Sequence, residues 1–565
     1  MKDKSNFVEN FDSIVSMLRK TIFTLFLGVL PILLWANERV SQTEIQDQIR
    51  LRVEKSEPGQ PITLRQKNLS ASDEIQSFYV ERTFHEAWSA DGIVTEISYE
   101  LRFEIKQAQF DGLDPDDYNL ALLESFFASF ESNKKNNSEN TVSDLADFDL
   151  LMSDAFFHLA SHLELGKVDP TKFDSNWEIT RKGPKVNYVE LLEAGLQSGS
   201  IRKSLESLYP SFNIYRKGRE VIRALDERRK SDSTDWSPVK VDKTLKVGES
   251  GNSVIALRQR LIFWGYLSLD SVPDPKLYDS AMMVAVKLFQ KRNGMEPDGA
   301  LGKMTVTALN QSPLNLMDKA AVNMERLRWL PDSLRDSEMI LVNIANFHLD
   351  YLSKGDTIFS GKVIVGKQYH ASPIFSAPMK YIVFSPYWNI PTSIAKNEII
   401  PSIRRNPNYL RQKNMEVVTH SGKLVDPSTV NWSSKSFPYM IRQKPGGDNS
   451  LGLVKFMFPN KHSVYLHDTP SKSLFEREDR ALSHGCIRLQ NPEKLAKILL
   501  SEDSSWTDEK IRQAMNQSKE QIVNLNREIP VVLLYLTFWA DSRGQAHFRP
   551  DIYGRDGEVL AALKK

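Results

Sequence analysis

Apolar residues recur at three- and four-residue spacing from about Phe78 to Leu225, in segments such as Asn119 to Phe130 and Phe148 to Leu165. That spacing puts them on one face of a helix, so 75–225 is expected to be a helical domain. Glu131 to Asn140 is polar and of low complexity, and predicts a loop between two of the helices. Asp226 to Asp242 is a second polar stretch and predicts a linker. In 245–312 the turn glycines Gly248 and Gly251 precede Val254, Leu257 and Leu261 at helical spacing. Asp279 to Gln290 and Lys303 to Asn310 continue that pattern around an Asp298–Gly302 turn, giving a small three-helix unit. From Met339 the period changes to two. Ile340 to Ile344, Phe347 to Leu352, Phe359 to Val365, Tyr381 to Phe384, Phe456 to Phe458, Val464 to Leu466 and Val531 to Trp539 read as strands. Gly355-Asp356 and Asp541 to Gly544 read as hairpin turns. Pro391 to Ser450 breaks the strand pattern with helical and loop sequence and predicts an insertion. The chain is thus expected to be a multidomain α+β protein. Its β-rich domain is 338–540 with the insertion at about 391–450, the polar segment 37–74 is partly extended, and 541–565 is a C-terminal tail.

Composition adds to this picture in three places. A chain of 565 residues is too long for one core, and domain-size priors give roughly three or four domains. Lys and Arg number 73 against 72 Asp and Glu, with no basic stripe, which argues against nucleic acid as a partner. Arg19 and Lys20 precede an apolar run, Thr21 to Ala36, with polar sequence from Asn37. Residues 1–36 therefore read as a signal peptide or an N-terminal membrane anchor, and the chain as exported. The run is shorter than a span of ~20 residues, yet Leu34 poorly suits cleavage after Ala36, so both readings stay open. Met17 would make a tidier start.

Export gives the cysteine content its meaning. Cys486 is the only cysteine, so an exported chain has no internal disulfide and keeps a free thiol in an oxidising compartment. By itself a lone cysteine is more often a small buried hydrophobe. Its neighbours overturn that reading. A thiol attacks carbonyls well only as thiolate, and so needs a base or a cation close by. His467 lies nineteen residues upstream at a strand end, where a returning loop brings it to the thiol. Imidazole titrates near neutrality and can take the proton, then pass it on. Gly485 permits a tight turn before the thiol, and N–H groups around Gly485 and Cys486 are candidate oxyanion donors. Arg488 supplies a fixed charge to favour thiolate or hold a carboxylate. His484 competes as base, although a residue two before the nucleophile usually points away from it. His462 reads as a surface strand residue. Tyr465, Trp388 and Tyr381 are candidate cleft aromatics, although aromatics at strand spacing are more often core. Arg442 and Lys444 are candidates to hold an acidic peptide carboxylate, or else form a solvated charged face. His158 and His162 lie four apart on a helix with no third ligand. No metal site is expected, and a zinc peptidase lacks its ligand set.

The run Ser483-His484-Gly485-Cys486-Ile487-Arg488 behind His467-Asp468-Thr469-Pro470 resembles the catalytic signature of the L,D-transpeptidases. The unit 245–312 resembles the three-helix peptidoglycan-binding domain, through its glycine-spaced start, Val286-Lys287-Leu288-Phe289-Gln290, and the Asp298–Gly302 turn followed by Thr305. Further stretches resemble the large periplasmic subclass of these enzymes: 386–392, 398–401, 406–407, 439–446 and 449–452, with 111–118 and 166–170 in the helical domain. The resemblance implies a helical scaffold domain and a β-sandwich-like catalytic domain with a helical capping insertion. It implies Cys486 as nucleophile and His467 as base, with Ser483, His484, Gly485 and Arg488 as the motif shell and Asp468 as the residue to orient the base. The implied reaction releases D-Ala from a donor tetrapeptide stem, forms a Cys thioester, and passes the acyl group to a second stem's diamino-acid amine, a 3→3 cross-link. No cofactor is implied; acylation of Cys486 by carbapenems is. The expected partners are peptidoglycan stems, with glycan strands as a further candidate, and the expected location is the periplasm or cell envelope. L,D-carboxypeptidase activity uses the same residues with water as acceptor. Lipoprotein attachment to the wall and a non-catalytic wall-binding role are the other readings.

Overall fold

The computed structural model describes residues 41–565, apart from 58, 137, 139, 173–177, 180–182, 269–273, 335–337, 355 and 435. The apolar run Thr21 to Ala36, Met17 and Gly355 lie outside the described residues. Among the described residues, no helix is long and apolar enough to cross a membrane.

The helical unit is built round Val142–Leu165, a helix buried on nearly all sides. Thr141 caps it by accepting from the Asp144 N–H at 3.0 Å. Two of its buried polar groups meet partners from outside the helix: the Tyr79 hydroxyl donates to Asp149 Oδ1 at 2.6 Å, and Trp88 Nε1 donates to Ser153 at 2.9 Å. His158 and His162 face each other with ring centroids 4.2 Å apart, and His162 Nδ1 meets the Tyr118 hydroxyl at 3.0 Å.

Two expectations change here. The segment expected to be partly extended is largely helical among its described residues: Gln42–Glu54 is a helix whose Ile45, Ile49 and Val53 enter the same core, and only Thr63–Leu64 and Lys67–Asn68 pair as short strands. Ile45, Ile49 and Val53, four apart, form a stripe too narrow to stand out among polar neighbours. The stretch 226–242 is not all linker, because helix Asn213–Lys230 runs into it. That helix packs on Pro313–Arg328, and Tyr215 and Ile222 join the core of the β-rich domain. At this junction the Arg328 guanidinium pairs with Glu325 at 2.5 Å and donates to the Asp111 carbonyl at 2.7 Å. A buried charge needs such partners, and here they tie the helical unit to the β-rich one.

The three-helix unit comprises Asn252–Phe263, Ser280–Arg292 and Lys303–Leu309 around Val254, Leu257, Leu261, Met282, Val286 and Leu309. Gln290 accepts from the Gly299 N–H at 2.9 Å and donates to the Ala300 carbonyl at 3.0 Å, which fixes the Asp298–Gly302 turn.

Among the described residues the main sheet of the β-rich domain has nine strands: β1 Met339–Asn343, β2 His348–Ser353, β3 Asp356–Gly366, β4 Phe375–Phe384, β5 Val454–Met457, β6 Leu466–His467, β7 Ala481–Ser483, β8 Ile487–Leu489 and β9 Gln521–Leu534. They run in the order β7-β3-β8-β6-β5-β4-β9-β1-β2, and β2 also pairs with β3. One sheet thus curls round and closes on itself, which gives the expected β-sandwich-like domain its two facing layers. The eleven-residue β3 makes this closure, since it pairs with β2, β7 and β8. The expected strand Val531 to Trp539 is the end of β9, which begins at Gln521; its first half alternates with exposed polar residues. A separate hairpin, Phe538–Ala540 with Ala546–Phe548, follows.

The insertion is only partly helical. Helical sequence from Thr392 to Arg405, with a π turn at Ala395–Ile399, covers a small sheet of Leu424–Val425, Met415–Val418, Met440–Gln443 and Trp388–Asn389. The expected tail is also structured. Helix Asp556–Leu563 buries Val559 and Leu563, and Asp556 pairs with Arg326 at 2.6 Å. Two turns of helix are too few to show periodicity in a sequence.

Candidate active site

Strands β6 and β8 lie side by side and parallel, with Leu466 opposite Ile487 and His467 opposite Arg488. Leu466 and Ile487 both point into the core. Side chains alternate along a strand, so Tyr465, His467, Cys486 and Arg488 share the other face. The Ile487 N–H donates to the Tyr465 carbonyl at 3.2 Å and holds that register at the Cys486 end.

The turn before the thiol is fixed by hydrogen bonds. Gly485 has φ +117°, a region that a side chain disfavours. The Ser483 hydroxyl donates to the Cys486 carbonyl at 2.6 Å and accepts from the Gly485 N–H at 3.1 Å. The Gly485 N–H is therefore spent and is not an oxyanion donor, contrary to expectation. The Cys486 N–H has no partner among the described residues. Behind the turn, the buried Ser372 hydroxyl donates to the Gly485 carbonyl at 2.9 Å and accepts from the Gly366 N–H at 3.1 Å. The Tyr553 hydroxyl donates to the Gly366 carbonyl at 2.6 Å, and Arg555 donates to the Ser372 carbonyl at 3.3 Å. Ser372, Tyr553 and Arg555 were not among the expected residues. Nothing local to them in the sequence points to the thiol.

His467 is buried, and its Nδ1 bonds the carbonyl of Asp468 at 2.5 Å. Burial pushes its pKa down to about 3, and the Arg488 charge adds to this; the Asp468 and Leu451 carbonyls pull the other way. The ring is thus neutral at physiological pH. Contrary to expectation, the Asp468 side chain does not orient it. That carboxylate accepts from the Leu453 N–H at 2.9 Å and pairs with Lys472. Only its backbone carbonyl serves the imidazole.

Burial also pushes the Cys486 thiol up, opposed by Tyr465 and by the Arg488 charge. The thiol meets the Ser463 carbonyl at 3.7 Å rather than the imidazole. Arg488 makes no ion pair, and its Nε is buried without a hydrogen-bond partner among the described residues. Burial pushes its guanidinium pKa down. The face therefore holds a thiol, a neutral imidazole and an uncompensated cation.

The remaining expected residues divide. His484 is turned to the insertion, where its Nε2 meets Glu398 Oε1 at 2.9 Å. Arg442 and Lys444 are not free for a substrate: both pair with Glu416, at 2.6 and 3.4 Å. They lie at or just after the inner strand of the insertion sheet, so Glu416 on the neighbouring strand reaches both. Trp388 is half-buried at the edge of that sheet, opposite Gln443. Tyr381 is half-buried in β4 opposite Met457. His462 is not a strand residue: it sits in the turn before β6 and pairs with Glu178 at 2.8 Å.

Family models match in three places: a scaffold domain at 73–221, a "Putative peptidoglycan binding domain" at 250–309, and an L,D-transpeptidase catalytic domain at 337–512. A Haemophilus influenzae protein named "Putative L,D-transpeptidase" is 36% identical over 250 residues, 44% of this chain and 50% of the relative. The chain thus spans about half the length of the curated relative it matches. Among solved structures, an L,D-transpeptidase from Xylanimonas cellulosilytica is 16% identical, with 52% of this chain and 100% of that one covered and a TM-score of 0.15. A fused Zn-dependent amidase/peptidase/peptidoglycan-binding protein from Clostridium acetobutylicum is 12% identical, with 52% and 99% covered and a TM-score of 0.14. Superpositions this slight have no bearing on the fold. The chain carries an L,D-transpeptidase catalytic domain, with a scaffold domain and a peptidoglycan-binding domain beside it.

Proposed function

We propose that Cys486 is the nucleophile and His467 the general base of a transpeptidase that forms 3→3 cross-links between peptidoglycan stems. The observation that carries this reading is the shared face of β6 and β8, where a thiol, a neutral buried imidazole and an unpaired arginine stand together. Rotation about the Cys486 Cα–Cβ bond exchanges the Ser463 carbonyl for the imidazole. His467 then takes the thiol proton while sulfur attacks the carbonyl between the diamino acid and D-Ala. The proton passes to the departing D-Ala amine, and a thioester remains on Cys486. An amine of a second stem attacks the thioester, and the proton it loses returns through His467 to the thiolate. The free Cys486 N–H and the Arg488 guanidinium are the donors for the developing oxyanion. The insertion, latched to the motif through Glu398 and His484, shelters the thioester from water. Action in the cell envelope belongs to the same reading.

The test is incubation with purified disaccharide-tetrapeptide, followed by mass spectrometry. The expected product is a dimer lacking one D-Ala, absent with Cys486→Ala. Dimer formation by Cys486→Ala would refute the assignment, and a tripeptide as sole product would make the enzyme a carboxypeptidase. Carbapenem should add its mass to the chain but not to Cys486→Ala.

The support behind the turn gives a second expectation. Tyr553→Phe removes the hydroxyl that bonds Gly366 while keeping the ring. One such bond is worth about 1 kcal/mol, so kcat should fall several-fold with KM little changed. Steady-state kinetics on the tetrapeptide would check this.

A further inference from the structure

His467 stands in a row of side chains that crosses the sheet. Arg488 on β8 is in register with it on one side, and Lys455 on β5 lies directly opposite it on the other. Residues opposite each other in an antiparallel pair share a face, with Cβ atoms about 5 Å apart. Val454 and Phe456, the chain neighbours of Lys455, are buried in the core, which turns Lys455 to the catalytic face. The next position in the row is the buried Val383 of β4, so the row becomes apolar beyond the lysine.

Lys455 is poorly compensated there. Its side chain is 16% exposed, and its one ion-pair partner among the described residues is Glu520, at 3.9 Å. That distance is beyond hydrogen-bond reach, and the same Glu520 oxygen accepts from the Tyr387 N–H at 3.0 Å. Among the described residues no hydrogen bond engages the ammonium. Burial pushes its pKa down, opposed by Glu520. Its charge adds to burial and to Arg488 in holding the His467 imidazole neutral. A largely desolvated ammonium without a hydrogen bond is unfavourable, and a carboxylate brought in by a substrate would offset this.

The chemistry of the first step fixes where such a carboxylate lies. The C–N bond to D-Ala breaks while His467 passes its proton to the departing nitrogen. One carbon separates that nitrogen from the D-Ala carboxylate. Sulfur and the oxyanion donors stand on the β8 side of His467, so the leaving group extends to the β5 side, toward Lys455. We propose that Lys455 binds the terminal carboxylate of the leaving residue, and so makes the enzyme specific for stems in which the residue after the scissile bond is the last. A stem extended by one residue offers a neutral amide at that point and leaves the ammonium without an anion. The inference rests on the proposed catalysis by Cys486 and His467.

The test compares disaccharide-tetrapeptide with the same compound carrying a C-terminal carboxamide. The parent chain should favour the free acid in kcat/KM by about ten- to a hundredfold, the effect of one charge-assisted hydrogen bond. Lys455→Met should bring the acid down to the level of the amide, and Lys455→Arg should retain most of the preference. Thermal melts check that the variants fold, with Lys455→Gln as a second neutral replacement. A lysine that acts only through the His467 imidazole would change both substrates alike. That result, or a parent chain indifferent to the amide, would overturn the inference. The catalytic reading is judged separately by Cys486→Ala, which should turn over neither substrate. If the parent chain also turns over neither, calorimetric titration of Cys486→Ala with the two compounds decides the matter. Acid-selective binding that Lys455→Met abolishes supports the site, and equal binding of acid and amide refutes it.

Discussion

His467→Gln is expected to lower kcat on disaccharide-tetrapeptide by about two to four orders of magnitude, the usual contribution of a positioned general base. Glutamine can keep the hydrogen bond to the Asp468 carbonyl but cannot accept and return a proton, so substrate binding should persist. The same substitution should flatten the acid side of the stability curve. In the unfolded chain His467 takes its proton near pH 6.5; in the folded chain burial holds it to about 3. Above the first value neither state binds that proton, and the full stability is present. Between the two values the unfolded state binds one proton more, so stability falls as pH falls, by roughly 1.4 kcal/mol per unit. Denaturant titrations at pH 7 and pH 4 should show this loss in the parent chain and a smaller one in His467→Gln. An equal loss in both would place the acid sensitivity elsewhere. Unchanged kcat would remove His467 from the chemistry.

Gly366→Ala should be the most damaging substitution away from the chemistry. A Cβ there would lie 2.0 Å from the carbonyl oxygen of His370. Both partners are backbone, so no side-chain rotation relieves the clash. The position also receives the Tyr553 hydroxyl and donates to Ser372, which holds the Gly485 carbonyl. Movement at 366 therefore passes directly to the turn that carries the thiol. The expected cost is about 3 kcal/mol, the upper end for overpacking, with loss of activity greater than the loss of folded protein. Gly447→Ala is the control: nothing lies within 4 Å of its Cβ, and it should change stability by less than about 0.5 kcal/mol. Denaturant unfolding and tetrapeptide turnover on both variants would check this. Equal behaviour of the two would show that the 366–370 approach relaxes freely.

The parts of the site that could be read from the sequence are those made by neighbours in the chain. β6 and β8 pair over a separation of 21 positions, and the glycine with φ +117° stands next to the thiol it positions. The partners that tune the site come from far away. Ser372 reaches Gly485 across 113 positions, and Tyr553 reaches Gly366 across 187. A hydroxyl in a polar C-terminal stretch has no periodicity to mark it, so that stretch reads as a tail. The same limit explains Arg442 and Lys444. Their charge is visible in the sequence; the Glu416 that neutralises it is visible only once two strands of the insertion pair.

By itself the sequence determined the order of helical, three-helix and β-rich units, and the thiol with its histidine. Helical and strand periods and a glycine-flanked motif are local properties that survive in one dimension. Only the tertiary structure decided that the sheet closes through β2 and β3, and that the imidazole is held by a backbone carbonyl. It also decided that Ser483 consumes the Gly485 N–H. Each of these depends on which groups meet across the fold, and on how much water is excluded when they do.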